Sequence, residues 1–393
     1  MTPRTIVVAG GLAQRAGYGG HAWVFLQYLL GFRRLGFEVI FVDRLEPEWC
    51  TDEGGESIAE QSRRLAYLQQ TLRAFGPPIP YAVLYDGGRR VLGIERNELV
   101  QRTRDSVMVL DVMGFLDDDE ILDAAPLRVF LDIDPGFPQM WRALGLTDVL
   151  DRHDAYVTVG ANIGSRDCAI PTCGIDWLTT RPPVVLEHWP AQVDAGRTIT
   201  TVAAWRGPFA PIEYQGRTYG LRAHQFRRFA ELPRRTGSSF ELALDIDAAD
   251  GRDRELLVDN RWVLTEPRAV AADVASYRAY VQQSSAELMI AKGMYVQTRS
   301  GWFSDRSAAY LASGRPVLAQ DTGLGDHYPA GAGLLTFSTL DEAAEAVERL
   351  EREPAFHARE ARGIAEEYFD SDRVLGTLLR NLGVDVGERR YAM

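Results

Sequence analysis

The sequence predicts an α/β protein of two domains, each organised around a mainly parallel sheet. Three observations carry this. Short apolar runs alternate with longer helix-like stretches along most of the chain. A stretch at 182–196, holding Pro182, Pro183 and Pro190 and lacking helical period, divides that alternation into two series. The 393 residues suffice for two domains with substantial buried cores.

The first series opens with an apolar strand at 5–9, ended by Gly10 and Gly11. A loop follows through Gly17, Gly19 and Gly20. Residues 21–35, with Trp23, Phe25, Leu26, Leu29 and Leu30, are too long an apolar run for a strand and predict a well-buried helix. Gly36 stops it, and a second strand runs over 37–42 to Asp43. This is a βαβ unit with glycines at the head of its helix. A helix is expected within 56–75 and strands at 82–84, 107–110, 128–133 and 155–159. The second series predicts strands at 199–205, 239–244, 294–298 and 317–320. Between them, helices are expected over 270–284 and over 305–313, the latter ended by Gly314. Thr339 and Glu342 form a capping box before a helix through Leu350, and helices continue to Leu382. There is no internal repeat.

Composition narrows the function classes. The chain is 46% hydrophobic and 25% charged, ordinary for a globular protein. No apolar run approaches the roughly 18–20 residues that span a bilayer, and the start lacks a basic segment followed by an apolar one. A cytoplasmic protein without an integral membrane segment is expected. The net charge of −12 argues against nucleic-acid binding, which needs a broad basic field. Cys50, Cys168 and Cys173 make no disulfide framework, and six scattered histidines form no ligand cluster, so no metal is expected. Of 43 Lys and Arg residues, Lys292 alone is lysine.

Several polar constellations sit where a two-domain α/β protein binds ligands. Gly19 and Gly20 head the first helix, where free N–H groups and the helix dipole suit an anion. The spacing is not the dinucleotide G-x-G-x-x-G, which counts against an NAD(P)-dependent oxidoreductase. His21 either accepts a proton from an attacking hydroxyl or packs at the helix start. Asp134, at the end of the 128–133 strand, is either a general base or part of a turn set by Pro135 and Gly136. Asp305 either bonds sugar or ribose hydroxyls or caps its helix. Asp321, Thr322 and Gly323 follow the 317–320 strand, on the side where doubly wound sheets bind ligands. Arg206 and Arg299, each after an expected strand, are candidate diphosphate partners. Lys292, placed before an expected strand, ranks below them.

Residues 310–317, Tyr-Leu-Ala-Ser-Gly-Arg-Pro-Val, closely resemble the EALASGRPVV stretch of the GT-B superfamily of glycosyltransferases. Residues 17–42 are similar to that family's glycine loop, first helix and second strand. Trp205-Arg206 resembles the Gly-Arg that begins its phosphate-contacting loop. The resemblance implies two Rossmann-like domains facing a central cleft. An acceptor domain would occupy 1–187 and a donor domain 196–369, with a terminal helix at about 370–393 packing back on the first. It implies transfer of a sugar from a nucleoside-diphosphate sugar to an acceptor hydroxyl, with no bound metal and no other cofactor, by a monomer or homodimer. Gly19, Gly20, Arg206, Arg299, Asp305, Asp321, Thr322 and Gly323 would then hold the donor, with His21 or Asp134 as the base. The sequence departs from the pattern at Gly301 and Ala309, which stand where many retaining members carry the two glutamates of E-x7-E. That departure motivates one rival, a binding protein that has lost catalysis; the shared fold leaves another, a non-hydrolysing sugar-nucleotide epimerase.

Overall fold

A computed structural model of the chain describes residues 4–51, 59–192, 196–325 and 327–386. The first residues of the chain, the start of the 56–75 helix, part of the 182–196 crossing and the end of the 370–393 helix lie outside the described residues.

Strands β1 (Thr5–Ala9), β2 (Glu38–Leu45), β3 (Tyr81–Tyr85), β4 (Arg90–Gly93), β5 (Met108–Val112), β6 (Arg128–Asp132), β7 (Ala155–Thr158) and β8 (Trp177–Thr179) build the first sheet. Their order is β4-β3-β2-β1-β5-β6-β7-β8, and only β4 runs antiparallel to its neighbour. The second half begins with β9 (Thr198–Ala204) and a small hairpin, β10 (Ile212–Tyr214) and β11 (Arg217–Tyr219). It continues with β12 (Ser239–Asp245), β13 (Val263–Thr265), β14 (Ala286–Met289), β15 (Val317–Gln320) and β16 (Leu334–Phe337). These form a fully parallel sheet in the order β13-β12-β9-β14-β15-β16. In each sheet the first strand lies inside and the strand order reverses beside it, so a crevice opens at the carboxyl ends of the central strands.

The helix Gly19–Arg34 explains how the halves join. It is apolar nearly all round, burying Trp23, Phe25, Leu26, Tyr28, Leu29 and Phe32. One side covers the first sheet. Another meets the helix Val274–Gln283 of the second half, where the Trp23 indole N–H donates to the Val274 carbonyl at 2.8 Å. A third meets the helix Ser371–Asn381, with Arg34 donating to both carboxylate oxygens of Asp372 at 2.9 and 3.1 Å. The chain therefore crosses to the second half and returns, and a backbone bridge between Val184 and Asp370 ties the two crossings. Each buried aromatic contributes roughly 1.5–3 kcal/mol.

One expectation is corrected. Residues 294–298 are not a strand; Gly293–Thr298 is a helix, and the strand of this region is Ala286–Met289. Glu287 hid it. That carboxylate interrupts the apolar run, yet it is fully buried and paired with the Arg306 guanidinium. The capping box at Thr339 and Glu342 is present, and so is the helix Asp305–Ala312.

Candidate functional site

A cavity of about 460 Å³ lies between the carboxyl ends of the two sheets. From the first half it is lined by the loop after β1, His21, Phe115, Ile133, Asp134 and Trp141. From the second half come the end of β9, Phe209, Arg222, Lys292, Tyr295 and Asp305. The size and the mixture of apolar walls with charged groups, Arg15, Asp245 and Arg306 among them, suit a small-molecule site.

Lys292 is the central side chain. Because β14 ends at Met289, Lys292 follows a strand and points into the crevice, the reverse of the order expected from sequence. Its Nζ lies 2.5 Å from Asp134 Oδ1, an ion pair that spans the two halves. The rings of Phe137, Phe209 and Tyr295 surround the ammonium, with centroids at 5.0, 5.3 and 5.4 Å. Burial pushes its pKa down, the Asp134 charge opposes that, and Arg222 reinforces it. Sequence reasoning passed over Arg222. It donates to the carbonyls of Ile290 and Ala204 at 3.2 and 3.3 Å and pairs with no carboxylate among the described residues. Burial, helped by the Arg306 charge, pulls its pKa down to about 10, so it stays cationic at neutral pH. Two cations thus stand at the strand ends of the second sheet, and one of them, Lys292, is paired with a carboxylate of the first half.

Asp134 is braced from below. Asp132, fully buried, accepts from Gln139 at 2.7 Å, Thr158 at 2.8 Å and the Asp134 N–H at 3.0 Å. Burial raises the Asp132 pKa to about 6. His21 also lines the cavity, its Nε2 3.0 Å from the Gly11 carbonyl. Burial lowers its pKa to about 4, so the ring is neutral at pH 7. With Nε2–H donating to Gly11, Nδ1 is the atom left to accept a proton.

Asp305 does not cap its helix. Ser304 does, accepting from the Arg306 N–H at 3.2 Å, which leaves the Asp305 carboxylate toward the cavity. Asp305 reaches solvent through that opening but is crowded by protein elsewhere, and this desolvation raises its pKa.

The remaining candidate residues lie elsewhere. Gly19 and Gly20 touch the cavity, but the Gly19 N–H donates to the Ala271 carbonyl across the halves at 2.8 Å. A Cβ at Gly19 would stand 2.1 Å from the Asp273 carbonyl oxygen, and one at Gly20 would stand 2.8 Å from the Tyr277 ring. These glycines let the helix approach the second half closely; they do not form an open anion cradle. Arg206 is outside the cavity lining and is held bidentately by Asp250. Arg299 follows a helix in a left-handed conformation, φ 52°, with its guanidinium 4.0 Å from Asp321. Asp321 accepts from the N–H groups of Gly323 and Leu324 at 2.8 and 3.0 Å. The Thr322 hydroxyl donates to the Trp302 carbonyl at 2.7 Å. Gly323 packs under Asn162. This loop lies outside the cavity lining and is tied up in a contact between the halves. Gly301 is closed in the same way: it has φ 70°, and a Cβ would stand 3.0 Å from Asn162. No glutamate fits there without moving that contact.

Among the described residues, no cluster of three or more His, Cys, Asp or Glu side chains is arranged to hold a metal ion, and no helix is long and apolar enough to cross a membrane.

No protein-family model matches the chain, and no curated protein matches it in sequence. Solved structures do match. The chain is similar to sucrose-phosphate synthase from Thermosynechococcus elongatus, with 12% identity and TM-score 0.57 over 97% of this chain and 99% of that one. It is similar to Anabaena HepE in complex with UDP-glucose, with 12% identity and TM-score 0.58 over 96% and 99%. It is also similar to an alpha-glucosyltransferase in complex with UDP and a DNA 13-mer, with 11% identity and TM-score 0.59 over 97% and 100%. At these identities the likeness is one of fold: the chain has the GT-B architecture of two α/β units around a cleft.

Proposed function

We propose that the protein is a glycosyltransferase that moves a sugar from a nucleoside-diphosphate sugar to an acceptor hydroxyl. The observation that carries this is the facing of Lys292 and Arg222, from the second half, with His21 and Asp134, from the first, across one cavity. Structures of the same fold have been solved with UDP and UDP-glucose, which makes UDP-sugars the first donors to test.

In this reading Lys292 and Arg222 hold the diphosphate, and Asp305 accepts hydrogen bonds from hydroxyls of the donor. The acceptor hydroxyl gives its proton to His21 Nδ1 as its oxygen bonds to the anomeric carbon. The bond from that carbon to the diphosphate breaks, and the leaving group keeps the electron pair. Negative charge grows on the leaving oxygen, where fixed cations in a partly dry site act most strongly. Because protein cations supply that charge, the reaction needs no bound metal ion. Arg206 and Arg299, engaged by Asp250 and Asp321, take no part in donor binding, and neither do Thr322 and Gly323.

The test is phosphorus NMR of the protein incubated with a panel of nucleoside-diphosphate sugars. Release of the nucleoside diphosphate, increased by an acceptor, is the expected result. Conversion of the donor to an epimer without release would instead establish the isomerase, and binding without conversion would establish the inactive relative.

A further inference from the structure

A second cavity of about 530 Å³ lies where the end of β8, the loop after β15 and the helix Ser371–Asn381 meet. It shares no lining residue with the cleft. Where the two approach, Gly160, beside the lining residue Ala161, forms a backbone bridge to Trp302 of the cleft wall.

Its charge is unlike the rest of the molecule. In a chain of net charge −12, the wall carries Arg181, Arg373 and Arg380 against one lining carboxylate, Glu367. None of the three arginines pairs with a carboxylate among the described residues. Elsewhere arginines of this protein are widely paired, as with Asp154, Asp253 and Asp372. Arg181 is also pre-positioned, lying 5.6 Å from the Tyr328 ring centroid and 5.2 Å from that of Tyr368. A π-helical turn at Ala365–Phe369 carries Tyr368 to that position, a distortion common at functional sites. Guanidiniums that have no carboxylate partner among the described residues and line a concave wall match phosphate oxygens. Thr179, Thr180, Thr377 and Asn381 add hydroxyl and amide groups around them, and Arg380 donates to the Thr377 hydroxyl at 3.0 Å.

We propose that this cavity is a binding site for a small phosphomonoester of a polyhydroxylated compound, such as a sugar phosphate. The guanidiniums take the phosphate, and the threonine and asparagine side chains take the hydroxyls. A nucleotide fits less well, because Arg181 already lies against the tyrosine rings on which a base would stack. The site also touches the cleft loop. Tyr328 packs on Phe303 and Phe369 with ring centroids at 5.1 and 5.2 Å, and Phe303 is two residues from Asp305.

Calorimetric titration of the full chain with glucose 6-phosphate and with inorganic phosphate tests this. Glucose 6-phosphate is expected to bind more tightly than inorganic phosphate. Its binding should survive Arg222→Ala in the cleft and weaken at least tenfold in the double variant Arg373→Ala/Arg380→Ala. Both of those residues are exposed on one helix, so unfolding temperature without ligand should not change. Arg181→Lys, which keeps the charge but loses the planar fork, should weaken binding as well. Affinity unchanged in both variants would overturn the proposal, as would binding abolished by Arg222→Ala. Equal affinity for inorganic phosphate would overturn its assignment to a sugar-sized ligand.

Discussion

Replacing Lys292 with methionine separates what the cleft ion pair does for stability from what it does for chemistry. The side chains of Lys292 and Asp134 are 8% and 23% exposed, and their atoms are 2.5 Å apart. Removing one partner of a fully buried pair costs roughly 3–5 kcal/mol, because the other charge stays behind. Asp134 is partly open to the cavity, which lowers the expected cost to about 2–3 kcal/mol. In a protein of this size that lowers Tm by about 2–4 °C. Asp134→Asn in the same chain removes the stranded charge and should recover most of the loss. Turnover should behave otherwise. Loss of one fixed charge from a developing oxyanion costs roughly 10²–10³ in kcat. The double variant should stay that slow, since it also lacks the ammonium. Thermal unfolding and donor turnover of the single and double variants check both arms. Wild-type turnover in Lys292→Met, or recovery of turnover together with stability in the double variant, would refute the reasoning.

Other consequences follow from neighbouring residues. Arg222→Ala should weaken nucleoside-diphosphate binding by at least tenfold in calorimetry, whereas Arg206→Ala should leave it unchanged because Asp250 holds that guanidinium away from the cavity. His21 has its pKa lowered from 6.5 to about 4 by burial, so the stability its neutral ring contributes is fully present above 6.5 and is lost as pH falls through 4. The shift sets an upper limit of about 3 kcal/mol, reduced by solvent at the cavity. Unfolding temperature measured from pH 7 to 4 should therefore fall less steeply in His21→Gln than in the native chain. Turnover should persist in excess chelator, and a loss restored by magnesium would show that Lys292 and Arg222 do not suffice as counter-charges.

Much of the architecture was legible from local pattern. The first βαβ unit, the apolar helix after the glycine loop and the capping box at Thr339 are all set by residues close in sequence. The strand holding Glu287 was not legible, because its carboxylate is paid for by Arg306, a partner 19 residues away. That miss propagated. With a strand placed at 294–298, Lys292 stood on the wrong side of it and ranked last among the cations. Arg206 looked the better phosphate partner, since nothing nearby in sequence shows that Asp250 engages it. Arg222 was hidden among the many arginines, and only the fold shows that it faces the cavity without a paired carboxylate among the described residues. His21, Asp134 and Asp305 line the cavity because each sits at a strand or helix end, where position alone aims a side chain at the crevice.

Nucleotide binding bears on the central claim most directly. Calorimetric titration with UDP, dTDP, GDP, ADP and NAD, in the native chain and in Arg222→Ala, would measure it. One nucleoside diphosphate is expected to bind selectively, with affinity lost in the variant. Selective binding of NAD, or binding of no nucleotide at all, would contradict a sugar-nucleotide site in this cleft.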